Sequence, residues 1–166
     1  LEYNKIIHTK KYSQNKIHGL ALYQKYSKKD IAHLLNQDYT NGGVNLAGYR
    51  VFEDKALLFM TLDESKKSTQ FDNKFISKSS FTYFSKKNKS VSDIIEKRLS
   101  ENLYTSFVFA RVDKSDDYFF FGIIEKCIGA QQLYEPVKML KFTFKLQQNL
   151  PQEIWQYFKN VYKNKN

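Results

Sequence analysis

The sequence predicts an α+β domain: a mostly antiparallel, barrel-like β-sheet flanked by about three helices. Three observations carry that expectation. Aromatic residues make up 16% of the chain, chiefly 14 Phe and 12 Tyr, which favour strands and binding surfaces. Apolar runs of strand length recur between polar turns. Helix-start signals stand ahead of segments with helical spacing. At 166 residues the chain fits a single domain with a sizeable core.

In chain order, residues 1–18 are polar and basic and read as a linker or lead-in segment. Residues 19–166 then form one domain. Gly19 to Tyr26 carry an apolar stripe that fits the start of a helix or a packed arm. Ser27-Lys28-Lys29-Asp30 is a capping box, in which the Ser27 hydroxyl caps while Asp30 reaches back. The helix it opens runs through Ile31, Leu34 and Leu35 and stops before Asn41-Gly42-Gly43. Gly48–Phe52 and Ala56–Met60 are strands, with Glu53-Asp54-Lys55 as the hairpin turn. Residues 63–80 are polar, anchored by Phe71 and Phe75, and Phe81–Phe84 is a further strand. Ser90-Val91-Ser92-Asp93 resembles a second capping box, opening a helix through Ile94, Ile95, Arg98 and Leu99. Tyr104–Val112 and Tyr118–Cys127 are long strands joined by an acidic turn, and the run Phe119-Phe120-Phe121 implies burial on both faces. Lys138–Leu146 alternates apolar and polar residues. Pro151 at a first helical position starts a terminal helix with Ile154, Trp155, Phe158 and Val161 on one face.

Charge sets the class of partner. Lys and Arg number 27 against 17 Asp and Glu, for a net charge of +10, and the pI is about 9.5. Such a balance suits nucleic acid or another anionic surface; solubilising charge alone is the plainer reading. No apolar run approaches the about 18 residues of a membrane span, and the N-terminus has no apolar signal core. A membrane is therefore not an expected partner. The lone Cys127 cannot form an internal disulfide and fits a reducing cytoplasm, as a small buried strand residue. The chain begins at Leu1, which points to a piece of a longer protein.

Catalytic patterns are sparse. No Gly-rich phosphate-binding loop is present. His8-Thr9-Lys10 imitates half of a phospholipase-D-type nuclease signature, with Asn15 where its aspartate belongs. Glu53-x-Lys55 with Asp38 upstream has the spacing of a metal-dependent nuclease, but it falls on a turn rather than beside a metal on a strand. His33 lies in the first helix without a catalytic partner. The expectation is a non-catalytic domain with no metal and no cofactor.

The segment richest in binding chemistry is Ser80-Phe81-Thr82-Tyr83-Phe84-Ser85-Lys86-Lys87-Asn88-Lys89-Ser90. It couples an aromatic strand to a basic turn: aromatic rings stack on bases and lysines neutralise phosphates. Alternation puts Phe81 and Tyr83 on one face, which is either a binding face or core.

The order of several segments resembles a family. Leu22–Ile31, Gly48-Tyr49-Arg50-Val51, Phe71-Asp72-Asn73-Lys74-Phe75, Ser80–Lys89, Phe107–Arg111, Tyr118–Gly122 and Phe142–Leu146 are similar to a C-terminal domain long catalogued as of unknown function. That domain occurs in bacterial proteins joining a phospholipase-D-type nuclease to a superfamily-2 helicase. The resemblance spans about residues 20–160. Some of these proteins are SauUSI-like type IV restriction enzymes, and their C-terminal part is similar to SRA domains. The resemblance implies a target-recognition domain that binds double-stranded DNA and flips out 5-methylcytosine or 5-hydroxymethylcytosine. It also implies helicase and nuclease domains in the same parent chain, an ATP-dependent modification-dependent endonuclease. A sequence-specific reader of unmodified DNA is the alternative; a small metal-dependent nuclease on Asp38, Glu53 and Lys55 and a protein-interaction domain are weaker ones. A flipped base needs an aromatic sandwich and groups on its Watson–Crick edge. The expected residues are Tyr83 (where the family pattern has Trp), Phe81 and Tyr49 for stacking, with Asp72 and Ser85 for edge contacts. Phosphate contacts fall to Arg50, Lys66, Lys67, Lys86, Lys87, Asn88 and Lys89.

Overall fold

A computed structural model describes residues 16–34, 36, 48–62 and 73–163. Their elements in chain order are β1 (Lys16–Ile17), β2 (Leu20–Ala21), β3 (Lys25–Tyr26), α1 (Lys28–Leu34), β4 (Tyr49–Phe52), β5 (Lys55–Thr61), β6 (Lys74–Phe75), β7 (Ser80–Phe84), α2 (Ile94–Ser100), β8 (Thr105–Arg111), β9 (Tyr118–Leu133), β10 (Met139–Leu146) and α3 (Gln152–Lys163). The main sheet runs β4-β5-β8-β9-β10-β7-β6, with β3 joined to the start of β9. Its pairings are antiparallel except β5 with β8, which run parallel from Lys55↔Thr105 to Thr61↔Arg111.

Burial follows the period of each element. Along β10, Leu140, Phe142, Phe144 and Leu146 are buried while Lys141, Thr143 and Lys145 lie on the other side, as strand geometry requires. Phe119, Phe120 and Phe121 are all buried, because β9 has the core on both faces there. On α3, Ile154 and Phe158 are buried and Trp155 half-buried. The core is dense in aromatic pairs, with Phe75, Phe121 and Phe158 in mutual contact at centroid distances of 5.1, 5.2 and 5.8 Å.

β9 is the long bent strand on which both parts of the sheet are built. Its first residues pair with β8 and β3, and from Ile124 onward it pairs with β10. Within the stretch paired with β8, at the register shift between Phe120 and Ile123, Gly122 has φ +91, and a Cβ added there would lie 3.3 Å from Leu22 Cδ2. Only glycine meets both demands cheaply. The residue marks the irregularity in the β8–β9 ladder, two residues before β9 first pairs with β10 at Ile124.

The arm at Leu20–Tyr23 packs into the core rather than beginning a helix. Lys16 and Ile17, in the expected lead-in segment, already pair with Ala21 and Leu20. The first capping box forms as expected: Asp30 N–H donates to Ser27 Oγ at 3.1 Å and Ser27 N–H to Asp30 Oδ2 at 3.2 Å. The second does not. Asp93 itself is the N-cap of α2, without a side-chain cap bond, and its carboxylate accepts the Ser90 N–H at 2.7 Å instead. The buried face of α2 also differs from the expected one. Ile94 is 66% exposed, whereas Glu96 is 1% and Leu99 2% exposed. Cys127 is only half-buried, and its thiol donates to Gly129 O. Among the described residues no helix is long and apolar enough to cross a membrane.

Candidate functional site

Two of the residues expected to stack on a base are core residues. Phe81 and Tyr83 are both 0% exposed. The Phe81 ring meets Phe75 and Phe144, and the Tyr83 hydroxyl donates to Phe59 O at 3.1 Å. A ring enclosed this way offers no face to a ligand, so Phe81 and Tyr83 are corrected from stacking residues to structural ones. The physical reason is the outcome of the alternation: the Phe81/Tyr83 face of β7 is the inner face. Burial drives the Tyr83 hydroxyl pKa well above that of a free tyrosine.

Ser85 is likewise buried, and its hydroxyl is committed. It accepts the Leu140 N–H at 2.9 Å and donates to Lys86 O at 2.8 Å, so an edge contact to a base would have to break this splint. Tyr49 is 3% exposed. Its hydroxyl donates to Glu96 Oε2 and accepts the Lys86 N–H at 3.2 Å. Its ring lies edge-on to Tyr83 and under Lys86 Nζ, 4.8 Å from the ring centroid. Burial first, then the bond to Glu96, pushes the Tyr49 pKa far above its ordinary value. Tyr49 is therefore also corrected, from a stacking platform to an internal support.

The basic turn that follows β7 stands in a different position. Lys86, Lys87 and Asn88 are exposed and Lys89 is half-exposed, while their main chain is tied at nearly every step. Ser85 N–H donates to Leu140 O at 2.9 Å and Asn88 N–H to Lys138 O at 2.7 Å. Gln132 Nε2 donates to Lys89 O, Leu133 O and Met139 O, each at 3.2 Å. Asn88 takes the left-handed conformation at φ 65, which Asn tolerates better than most residues. Asp93 closes the turn. The Ser90 N–H holds its carboxyl below the usual carboxylate range, with Lys89 and Lys138 adding to the effect. The result is a row of cationic side chains on a fixed backbone, an arrangement suited to phosphate contacts. Arg50 lies half-buried on β4, beside Tyr49 in sequence.

Asp72, Lys66, Lys67 and Asp38 lie outside the described residues, as do His8 and Phe71. Of the nuclease-like set, Glu53 and Asp54 form the exposed β4–β5 turn, and Lys55 Nζ lies 3.4 Å from Asp54 Oδ1. That is ordinary turn chemistry. Among the described residues no group of His, Cys, Asp and Glu could hold a metal ion. Gln132, Lys138 and Glu96, which anchor the turn, were not expected from the sequence. Glu96 left one readable trace, its place three residues before the buried Leu99.

Residues 20–158 match a protein family described as "Domain of unknown function (DUF3427)". No curated protein matches the sequence. Among solved structures, the chain is similar to SUVH5 SRA in complex with fully methylated CG DNA. It has 12% identity to that protein and a TM-score of 0.53, over 82% of this chain and 97% of that one. A second crystal form of the complex gives a TM-score of 0.54 with the same identity and coverage. A DNA modification-dependent restriction endonuclease, AspBHI, is similar at 11% identity and a TM-score of 0.48, over 87% of this chain and 81% of that one. The fold is thus SRA-like, a curled, mostly antiparallel sheet with three helices.

Proposed function

We propose that this chain, which belongs to the DUF3427 family, is a DNA-recognition domain that binds duplex DNA carrying a modified cytosine. The modified base, 5-methylcytosine or 5-hydroxymethylcytosine, would be turned out of the helix to be read. The observation that carries this reading is the fold shared with SUVH5 SRA, a protein solved on fully methylated CG DNA. The +10 charge and the fixed basic turn supply the phosphate contacts such a reader needs. In this reading Lys86, Lys87, Asn88 and Lys89 grip the backbone together with Arg50, Lys66 and Lys67. Base-edge contacts fall to Asp72, since the Ser85 hydroxyl is already spent on β10. The domain itself does no chemistry. It would direct the nuclease and helicase of a longer, ATP-dependent type IV restriction enzyme in the cytoplasm.

The test is fluorescence anisotropy of the 166-residue chain with three matched duplexes at physiological salt: unmodified, 5-methylcytosine and 5-hydroxymethylcytosine. A preference of about tenfold or more, roughly 1.4 kcal/mol, for a modified duplex supports the reading. Equal binding to all three overturns the modified-base part and leaves a reader of unmodified DNA. No binding overturns the whole.

A further inference from the structure

We infer that Glu96, acting through the Tyr49 hydroxyl, is the positioning residue that sets the basic turn for phosphate contact; this rests on the DNA-binding reading above. Glu96 belongs to α2, Tyr49 opens β4 and Lys86 follows β7, so the Tyr49 hydroxyl, from a strand remote in sequence, joins the helix to the turn that precedes it. That hydroxyl donates to the Glu96 carboxylate and accepts the Lys86 N–H. Both of its hydrogen-bonding roles are thus in use.

Two features set this apart from ordinary core packing. First, Glu96 is 1% exposed, and a buried carboxyl group costs stability unless it is bonded. Replacing both hydrogen-bonded side chains by apolar groups of the same shape can be nearly neutral for stability. What apolar side chains cannot do is hold a main-chain N–H at a chosen point. Second, the N–H so held is that of the first lysine of the turn, and the same residue's Nζ stands 4.8 Å from the centre of the Tyr49 ring. Backbone and ammonium of Lys86 are therefore both referenced to Tyr49. The opposite end of the turn is fixed independently, by Asn88 on Lys138 O and Gln132 on Lys89 O. Ser85 Oγ holds Lys86 O as well, so loss of the Tyr49 hydroxyl would release the Lys86 N–H and loosen that end of the turn, while the Lys89 end keeps its own bond to Gln132.

The readout is the salt dependence of binding. Each phosphate contact contributes about 0.9 to the slope of log K against log salt. Tyr49→Phe and Glu96→Ala should each lower the slope by about one contact and weaken binding at low salt, while Glu96→Gln, which keeps an acceptor oxygen, restores both. Lys86→Ala should lower the slope equally, and Tyr49→Phe added to Lys86→Ala should lower it no further. Folded Tyr49→Phe and Glu96→Ala proteins with the wild-type slope, or additive losses in the double variant, would overturn the proposal. Should these variants fail to fold, amide hydrogen exchange on the wild-type chain decides: Lys86 N–H should be protected while Lys87 N–H exchanges freely, and equal exchange rejects the latch. Failure of the DNA reading is distinguishable, because it shows in the wild-type protein as no binding to any duplex.

Discussion

Phe81 and Tyr83 show how one residue type can serve two opposite purposes. A ring that stacks on a base must have an open face, and these have none. Their substitution should therefore register in stability first. Phe81→Ala is expected to cost about 3–5 kcal/mol through the cavity it leaves. Tyr83→Phe is expected to cost about 1–2 kcal/mol, because it leaves Phe59 O without its partner. Urea denaturation measures both, and a Tyr83→Phe protein as stable as the parent would show that the buried hydroxyl contributes nothing. Lys87→Ala should behave in the reverse way, with stability within about 0.5 kcal/mol of the parent and weaker, less salt-sensitive DNA binding. The Ser27/Asp30 capping box was legible in the sequence because it is closed by residues three apart. The Tyr49–Glu96 pair was not, since 47 positions separate its partners and no local pattern names either as the other's neighbour.

At the level of elements, strands declared themselves and their associations did not. The alternation of β10 and the apolar triplet of β9 followed from period alone. The parallel pairing of β5 with β8 and the continuation of β9 to Leu133 depend on neighbours that no single strand encodes. The second capping box misled for a related reason: Ser90 and Asp93 do hydrogen-bond, but to close the basic turn rather than to cap α2. Gly122 combines a left-handed backbone with close packing inside β9. A side chain there must adopt φ +91 and crowd Leu22 at 3.3 Å. Gly122→Ala should cost about 1–3 kcal/mol from backbone strain and crowding together, seen as a lower denaturation midpoint. Gly48→Ala is the control for strain alone: φ is +74 there but nothing lies within 4 Å, so its cost should be the smaller. Equal costs would remove crowding by Leu22 from the account of the bend.

For the whole molecule, the aromatic core makes a prediction about alkaline pH. Tyr23, Tyr49, Tyr83 and Tyr118 all have pKa values raised above the ordinary 10.0, chiefly by burial. A group whose folded pKa exceeds its unfolded pKa contributes full stability below the unfolded value. That stability is lost as pH climbs from there through the folded value, because only the unfolded chain can release the proton. The window therefore opens near pH 10 and extends upward. Tyr23 alone, raised from 10.0 to about 12, stands for about 3 kcal/mol across that window. An opposing effect must be weighed. The lysines of a +10 chain lose their charge near pH about 10.4, which relieves self-repulsion. Among the described residues no lysine is buried, so salt screens those charges within about 10 Å, whereas the four tyrosine hydroxyls are desolvated. Loss of the tyrosine contribution should win, and the chain should unfold cooperatively above pH about 10 in moderate salt. Tyrosinate absorbance near 295 nm and far-ultraviolet circular dichroism, followed together, test this. These tyrosines should ionise in the same transition in which the sheet signal collapses. If all the tyrosines titrate near pH about 10 while the sheet signal persists, their hydroxyls are open to solvent, and the closed aromatic interior described for Tyr49 and Tyr83 is wrong.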